Sequence, residues 1–138
     1  MANNSVVGRW QLKSWRLAGA DGDTFPLGPD AGGTVLYTSD GFMSVMMMAA
    51  ERPAVGWPPA TMPASAEDTI AAFATFVGYS GRYEVQGENV LHHVEIASTP
   101  THVGTHFTRG FVVNGNELQL THRTPSGSEG RLIWERIA

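Results

Sequence analysis

The sequence has no cysteine, which excludes a disulfide framework, a thiolate nucleophile and a cysteine-based zinc site while leaving the compartment open. Positive charge is sparse too. Nine Lys and Arg stand against thirteen Asp and Glu, a net charge of −4, and no basic run occurs. Nucleic-acid binders carry a basic stripe that releases counterions from phosphate, so no nucleic-acid partner is expected. Long apolar runs are missing as well. The most apolar stretch, FMSVMMMAA from Phe42 to Ala50, falls far short of the roughly 20 residues that span a bilayer. The opening MANNSVVGRW has no basic segment leading into an apolar one and does not read as a secretory signal. A cytoplasmic protein with no membrane partner is the expectation.

Catalytic signatures are equally scarce. There is no G-x-S-x-G elbow for a serine nucleophile. GADGD and GPDAGG read as turns, not as a G-x-G-x-x-G phosphate loop before a helix, so no nucleotide or other cofactor is expected. The five histidines, His92, His93, His102, His106 and His122, raise the question of a metal. His102 and His106 are spaced i, i+4, but Pro100 and Gly104 put them on a loop and strand, where helical ligand geometry does not follow. No metal site is expected.

What is present is a strand pattern. With 138 residues, 42% hydrophobic and 16% charged, the chain reads as one globular domain, residues 1–138, within the usual range of about 100–200 residues. Short apolar alternations are punctuated by turn residues: Gly8–Ala18, Thr34–Thr38, Phe42–Met48, Arg82–Gln86, Val90–Ser98, Phe107–Val113, Glu117–Arg123 and Arg131–Ile137. Ser39-Asp40-Gly41 between two of these runs is a strong hairpin signal, because the turn needs positive φ. One segment departs from the alternation. Ala66–Val77 places Ile70, Phe73, Ala74 and Val77 on one face at helical spacing, with Ser65 as N-cap and Gly78 as stop. Four of the eight prolines lie in the stretch before it, ERPAVGWPPATMPAS, which is unsuited to a sheet interior. Eight strands in meander order close naturally into a barrel and so remove exposed edges. The expected fold is all-β, an eight-stranded antiparallel up-and-down barrel with one helix between strands 3 and 4. That helix, with Trp57 and Met62 before it, either forms a lid over the mouth or packs on the outer wall of the barrel with the linker crossing the surface.

An ordered set of segments, VGRWQLKSW, GTVLYTSDGFMSV, GRYEV, HHVE, VGT and LIWERI, resembles the bacterial lipocalin-like domain family from Val7 to Ile137. Gly8-Arg9-Trp10 matches the G-x-W signature of the first lipocalin strand. The resemblance implies a calycin-type barrel with a central cavity and implies no activity. It further implies that Trp10 closes one end of the barrel and that a late arginine packs across its ring. Arg136 is the matching residue, so Gly8, Trp10 and Arg136 are expected to be structural. The helix is a departure, since in lipocalins it follows the barrel.

Phasing each strand gives the lumen. In VLHHVEI, the apolar Val90, Val94 and Ile96 share a face with His92, which puts His92 inside and His93 with Glu95 outside. The first strand alternates Trp10, Leu12 and Ser14 against Gln11, Lys13 and Trp15. The same procedure places Val35, Tyr37, Met43, Val45, Met47, Tyr83, Val85, Phe107, Arg109, Phe111, Leu118, Leu120 and His122 inside. Leu132 and Trp134 compete with Ile133 and Ile137 and are taken as inward together with Arg136. A greasy wall with sparse polar groups is what a small-molecule pocket needs. The expected ligand-binding residues are Tyr37, Met43, Val45, Met47, Tyr83, His92, Arg109, Phe111, His122 and Trp134. Arg109 has no acidic residue in phase with it, so it either holds a ligand carboxylate, enolate or phenolate or reaches the mouth and solvent.

Three functions fit. The first is cofactor-free binding of a small hydrophobic or aromatic metabolite carrying an acidic or phenolic group. The second is a cofactor-independent isomerase, cyclase or dehydratase acting on a polyketide-like substrate. In it His92 or His122 moves the proton, while Tyr83, Tyr37 and Arg109 hold the oxyanion. The third is an interaction module whose barrel is filled with side chains. A homodimer is compatible with each.

Overall fold

The computed structural model describes residues 5–138; the first four residues of the opening segment lie outside them. Eight strands run β1 (Gly8–Leu17), β2 (Gly32–Tyr37), β3 (Phe42–Met48), β4 (Phe76–Gln86), β5 (Asn89–Ala97), β6 (His106–Asn114), β7 (Glu117–Arg123) and β8 (Glu129–Arg136). Each pairs antiparallel with the next, and β8 returns to β1 to close the barrel. A single α-helix, α1 (Ala66–Ala74), lies between β3 and β4. Among the described residues no helix is long and apolar enough to cross a membrane.

The up-and-down order sorts the connections to two ends. At the base are the start of β1, the end of β8 and three tight turns, Thr38–Gly41, Gly87–Glu88 and Gly115–Asn116. Gly87 and Gly115 each have φ of 61° at the first central position, the place and sign that a type II′ hairpin turn demands. The longer connections all leave from the opposite end, the rim. They include the segment carrying α1 and a 3-10 turn at Pro100–His102.

The sequence pattern predicts a helix to Val77, but α1 stops at Ala74. Thr75 ends it by bonding its hydroxyl back to the Ala71 carbonyl at 2.7 Å. The β-branched and aromatic run that follows pairs instead with β3, Phe76 opposite Met48 and Val77 opposite Met47. Strand 4 therefore begins six residues before the expected Arg82, and Val77 and Gly78 belong to it. The apolar helix face is not packed on the barrel. Ile70 is 68% and Phe73 55% exposed, and Ala72 is the buried helix residue. Ser65 does cap the helix, its hydroxyl accepting from the Asp68 amide at 3.0 Å.

Two β-bulges shift the inward phase. In β1, Leu12 pairs with Trp134 and Ser14 with Ile133, leaving Lys13 unpaired. Beyond that point Ser14 faces out and Trp15, opposite Leu132, faces in, against the uninterrupted alternation. In β5, Ser80 of β4 pairs with Ile96 and Gly81 with Val94, so Glu95 is the extra residue. Val90, His92 and Val94 are buried, whereas Ile96 is turned out and 71% exposed. Gly81 is required at this bulge because a Cβ there would overlap the His93 carbonyl oxygen. Both inserted residues are charged and pair on the outer wall, Lys13 with Glu135 at 3.3 Å and Glu95 with Arg82 at 3.8 Å. His93 faces out as well, but bonds Glu84 at 2.9 Å and not Glu95.

The base is solid. Val6, Trp10, Val90 and Leu118 are wholly buried, and Tyr37 and Met43 nearly so. Trp10 donates its indole N–H to the Val6 carbonyl at 2.9 Å. The Arg136 guanidinium sits 4.2 Å from the centre of the Trp10 ring and donates to the carbonyls of Val7 at 2.7 Å and Ser5 at 3.1 Å. A cation over an indole contributes about 0.5–2 kcal/mol, and two charge-assisted bonds add to it. Gly8 gives this arginine its room, since a Cβ on it would overlap the guanidinium.

Candidate functional site

The rim half of the barrel encloses a cavity of about 170 Å³. Its apolar wall comes from Val35, Val45, Met47, Val77, Leu120 and Leu132; its aromatic and polar groups are Trp15, Tyr79, His92, His102, Phe107, Arg109, His122 and Trp134. Of the ten expected ligand-binding residues, Val45, Met47, His92, Arg109, His122 and Trp134 line it. Tyr37, Met43, Tyr83 and Phe111 do not. They lie towards the base, where the Tyr83 hydroxyl is consumed by donation to the Thr38 carbonyl at 2.6 Å, which removes Tyr83 from any chemistry at the cavity. Trp15 and Tyr79 were not foreseen as lining residues, because a bulge and a mistaken helix end hid their phase. No residue of α1 or of the proline-rich segment lines the cavity, and Trp57 is 88% exposed. The residue that reaches it from the rim loops is His102.

Its polar heart is a chain of three side chains. The Tyr37 hydroxyl lies 2.6 Å from His92 Nε2, and the Tyr79 hydroxyl 2.7 Å from His92 Nδ1. Burial, the Arg109 charge and the neighbouring His93 push the His92 pKa down to about 3. Burial likewise raises the pKa of Tyr37 and Tyr79, with Arg109 opposing the rise in both. The chain is therefore neutral at physiological pH, and one imidazole nitrogen donates while the other accepts. Tyr37 is 1% exposed and has no other partner for its proton. It must donate to Nε2, so Nδ1–H donates to the Tyr79 oxygen. The Tyr79 hydroxyl proton is then left free at the cavity wall.

Arg109 supplies the charge. It is partly buried and stacks 4.7 Å from the Phe107 ring centre, and its charge acts on the neighbouring Tyr79 hydroxyl. Among the described residues it makes no ion pair. His122 is held by Trp15, whose indole N–H donates to its Nε2 at 3.1 Å, and burial with the Arg109 charge lowers its pKa to about 4. Trp134 Nε1 and His102 Nδ1 are buried without a partner.

Neither imidazole is poised as a base near pH 7. Both nitrogens of His92 are engaged by tyrosines, and the Nε2 of His122 is occupied by Trp15. His93 and His106 are register partners on β5 and β6 with ring centres 6.1 Å apart, and among the described residues no group of three His, Asp or Glu could hold a metal ion.

The cavity opens sideways. β6 and β7 pair only as far as Gly110 opposite Thr121, although both strands continue towards the rim. Where they part, Phe107, Arg109 and His122 face both the cavity and an outer depression of about 520 Å³.

A family model described as the lipocalin-like domain matches residues 7–137. The chain belongs to the lipocalin-like domain family. No curated protein matches this lipocalin-like chain. Among solved structures, fatty-acid-binding protein 1 of Echinococcus granulosus aligns at 12% identity and TM-score 0.48, covering 99% of this chain and 100% of that one. A de novo designed fluorescence-activating β-barrel aligns at 13% identity and TM-score 0.47, with 99% and 100% covered. A mutant of the fluorescent protein UnaG aligns at 11% identity and TM-score 0.42, with 96% of each chain covered.

Proposed function

We propose that this lipocalin-like protein binds a small aromatic or hydrophobic molecule carrying an acidic or phenolic group, and does so without a cofactor. The observation that carries this reading is Arg109, a guanidinium in the cavity that makes no ion pair among the described residues, Glu129 of the adjoining depression being paired with Arg131. A buried or half-buried cation without a counterion is costly, and a ligand anion offsets that cost. Around it the wall is apolar, which is the usual composition of a small-molecule site. Acid–base catalysis is disfavoured because both histidines are neutral, His92 held at both ring nitrogens by tyrosines and His122 at Nε2 by Trp15. A side-chain-filled interaction module fits the base of the barrel but not the rim.

The test is titration with benzoate, followed by calorimetry or by the fluorescence of Trp15 and Trp134. Arg109→Leu is expected to weaken benzoate about 10- to 100-fold, the range for losing a charge-assisted hydrogen bond, with folding unimpaired. Equal affinity in the variant would take Arg109 out of the site and with it this reading.

A further inference from the structure

The hydrogen-bonded relay Tyr37–His92–Tyr79 begins outside the cavity and ends on its wall. His92 and Tyr79 line the cavity and Tyr37 does not. A hydroxyl has one proton and lone pairs to spare, and a neutral imidazole has one N–H and one lone pair. Such a relay has two self-consistent directions. In one, Tyr37 donates to Nε2 and Nδ1–H donates to Tyr79, which turns its own proton to the cavity. In the other, Tyr79 donates to Nδ1 and Nε2–H donates to Tyr37, whose proton is then left over. Tyr37 is 1% exposed, so bulk solvent does not receive that proton. A buried donor left unmatched costs about 1–3 kcal/mol. The first direction wins. Arg109 pulls the other way. Its charge acts on the Tyr79 hydroxyl, and a cation beside a hydroxyl favours lone pairs turned towards it. Released from Tyr37, Tyr79 would give its proton to His92 Nδ1, 2.7 Å away, and its lone pairs to the guanidinium. The intact relay instead holds two donors side by side, an arrangement that an incoming anion relieves.

Building on the reading that Arg109 holds an anion, we infer that Tyr37 is a positioning residue for the ligand it never touches. Acting through His92, it fixes Tyr79 as a hydrogen-bond donor beside Arg109, so that these two residues together take the carboxylate of a hydrophobic acid. The specificity of the cavity is thus set partly from the base of the barrel, by the direction in which three buried groups pass their hydrogens.

The direction can be read without a ligand. In the native protein, ¹⁵N NMR of the His92 ring is expected to find the proton on Nδ1, and in Tyr37→Phe to find it moved to Nε2. A proton on Nε2 in the native protein, or one that stays on Nδ1 in the variant, overturns the role of Tyr37. Calorimetry with benzoate reads the consequence. Tyr79→Phe is expected to weaken benzoate about 10-fold, as loss of a hydrogen bond to a charged group does. Tyr37→Phe takes no atom from the cavity wall, yet is expected to weaken benzoate by about the same factor in the native background and not at all in the Tyr79→Phe background. Equal losses in both backgrounds would mean packing damage alone and overturn the relay. If Tyr37→Phe does not fold, the native His92 tautomer and the affinity of Tyr79→Phe decide. Benzoate binding that depends on Arg109 but is unaltered by Tyr79→Phe or Tyr37→Phe overturns this inference and leaves the anion site standing. Failure of benzoate to bind the native protein overturns both.

Discussion

The two ends of this barrel are built from the same eight strands on opposite principles. At the base three polar side chains are matched inside the chain: the Trp10 indole with Val6, the Arg136 guanidinium with Val7 and Ser5, and the Tyr83 hydroxyl with Thr38. At the rim the comparable groups are left open, with Arg109 lacking an anion and Trp134 lacking an acceptor. Each end has an arginine on an aromatic ring, Arg136 on Trp10 at 4.2 Å and Arg109 on Phe107 at 4.7 Å. Stacking on a ring therefore does not tell a structural arginine from a binding one. What tells them apart is whether backbone carbonyls have already taken the guanidinium's hydrogens.

The contrast can be broken by substitution. Trp10→Ala removes the base plug and is expected to lower unfolding free energy by about 3–5 kcal/mol, as large-to-small changes at buried tryptophan do. Urea denaturation of the variant measures it.

The next largest effect is the pH dependence set by His92, which joins the two halves through its tyrosines. Its folded pKa of about 3 lies below the unfolded value of 6.5. Between those values the unfolded chain binds a proton that the folded chain refuses. Stability is complete above about pH 6.5 and is lost as pH falls, at about 1.4 kcal/mol per pH unit from this group alone. His122, with its pKa of about 4, acts in the same direction. Denaturation midpoints at pH 7 and pH 5 are expected to draw closer together in His92→Gln by that one-proton slope. An unchanged slope would mean that His92 carries a proton in the folded state. At alkaline pH the raised tyrosines act in the opposite sense, so stability falls again above about pH 10 as unfolded tyrosines ionise.

A smaller and more local effect is expected at Gly130, which lies opposite His122 and whose Cβ would overlap the His122 ring. Gly130→Ala should displace that imidazole from Trp15, cost about 1–3 kcal/mol as overpacking does, and perturb Trp15 fluorescence while the base stays intact. Least of all, Phe73→Ser on the exposed face of α1 should change stability by less than about 0.5 kcal/mol, since surface changes away from packing contacts do little. A loss several times larger would mean that this face is covered in solution.

Much of the barrel is legible in the sequence because alternation and turn chemistry are local signals. The Asp40-Gly41 turn, the paired Gly hairpins and the inward set Val35, Tyr37, Met43, Val45 and Met47 all follow from neighbours within a few residues. Bulges are less visible. An extra Lys13 or Glu95 leaves the composition of its strand unchanged, yet it inverts every residue beyond it. That is how Trp15 and Ile96 are misplaced. A charged residue that interrupts an otherwise apolar phase is the available signal, and both inserted residues are charged. The helix end is misread for a different reason. Val77 continues the helical spacing of Ile70 and Phe73, but tertiary pairing with β3 overrides that pattern. Tyr79, the terminus of the hydrogen-bonded chain, is lost with it. Arg109 and His92 were legible because a polar residue on an apolar phase stands out. Hydrogen-bond satisfaction, which separates Trp134 from Trp10, depends on coordinates.

The parting of β6 and β7 above Gly110 and Thr121 has a consequence for solubility. A fully closed barrel offers no strand edge to another molecule, but this one leaves two short stretches of backbone unpaired across the gap. Such edges are templates for intermolecular pairing and aggregation unless blunted. Here they are brief and carry His106, Arg109, His122 and Arg123, and two of these are permanent charges of the same sign. Two molecules meeting gap to gap would bring arginine against arginine. The wall is left open for a ligand and closed to a second strand.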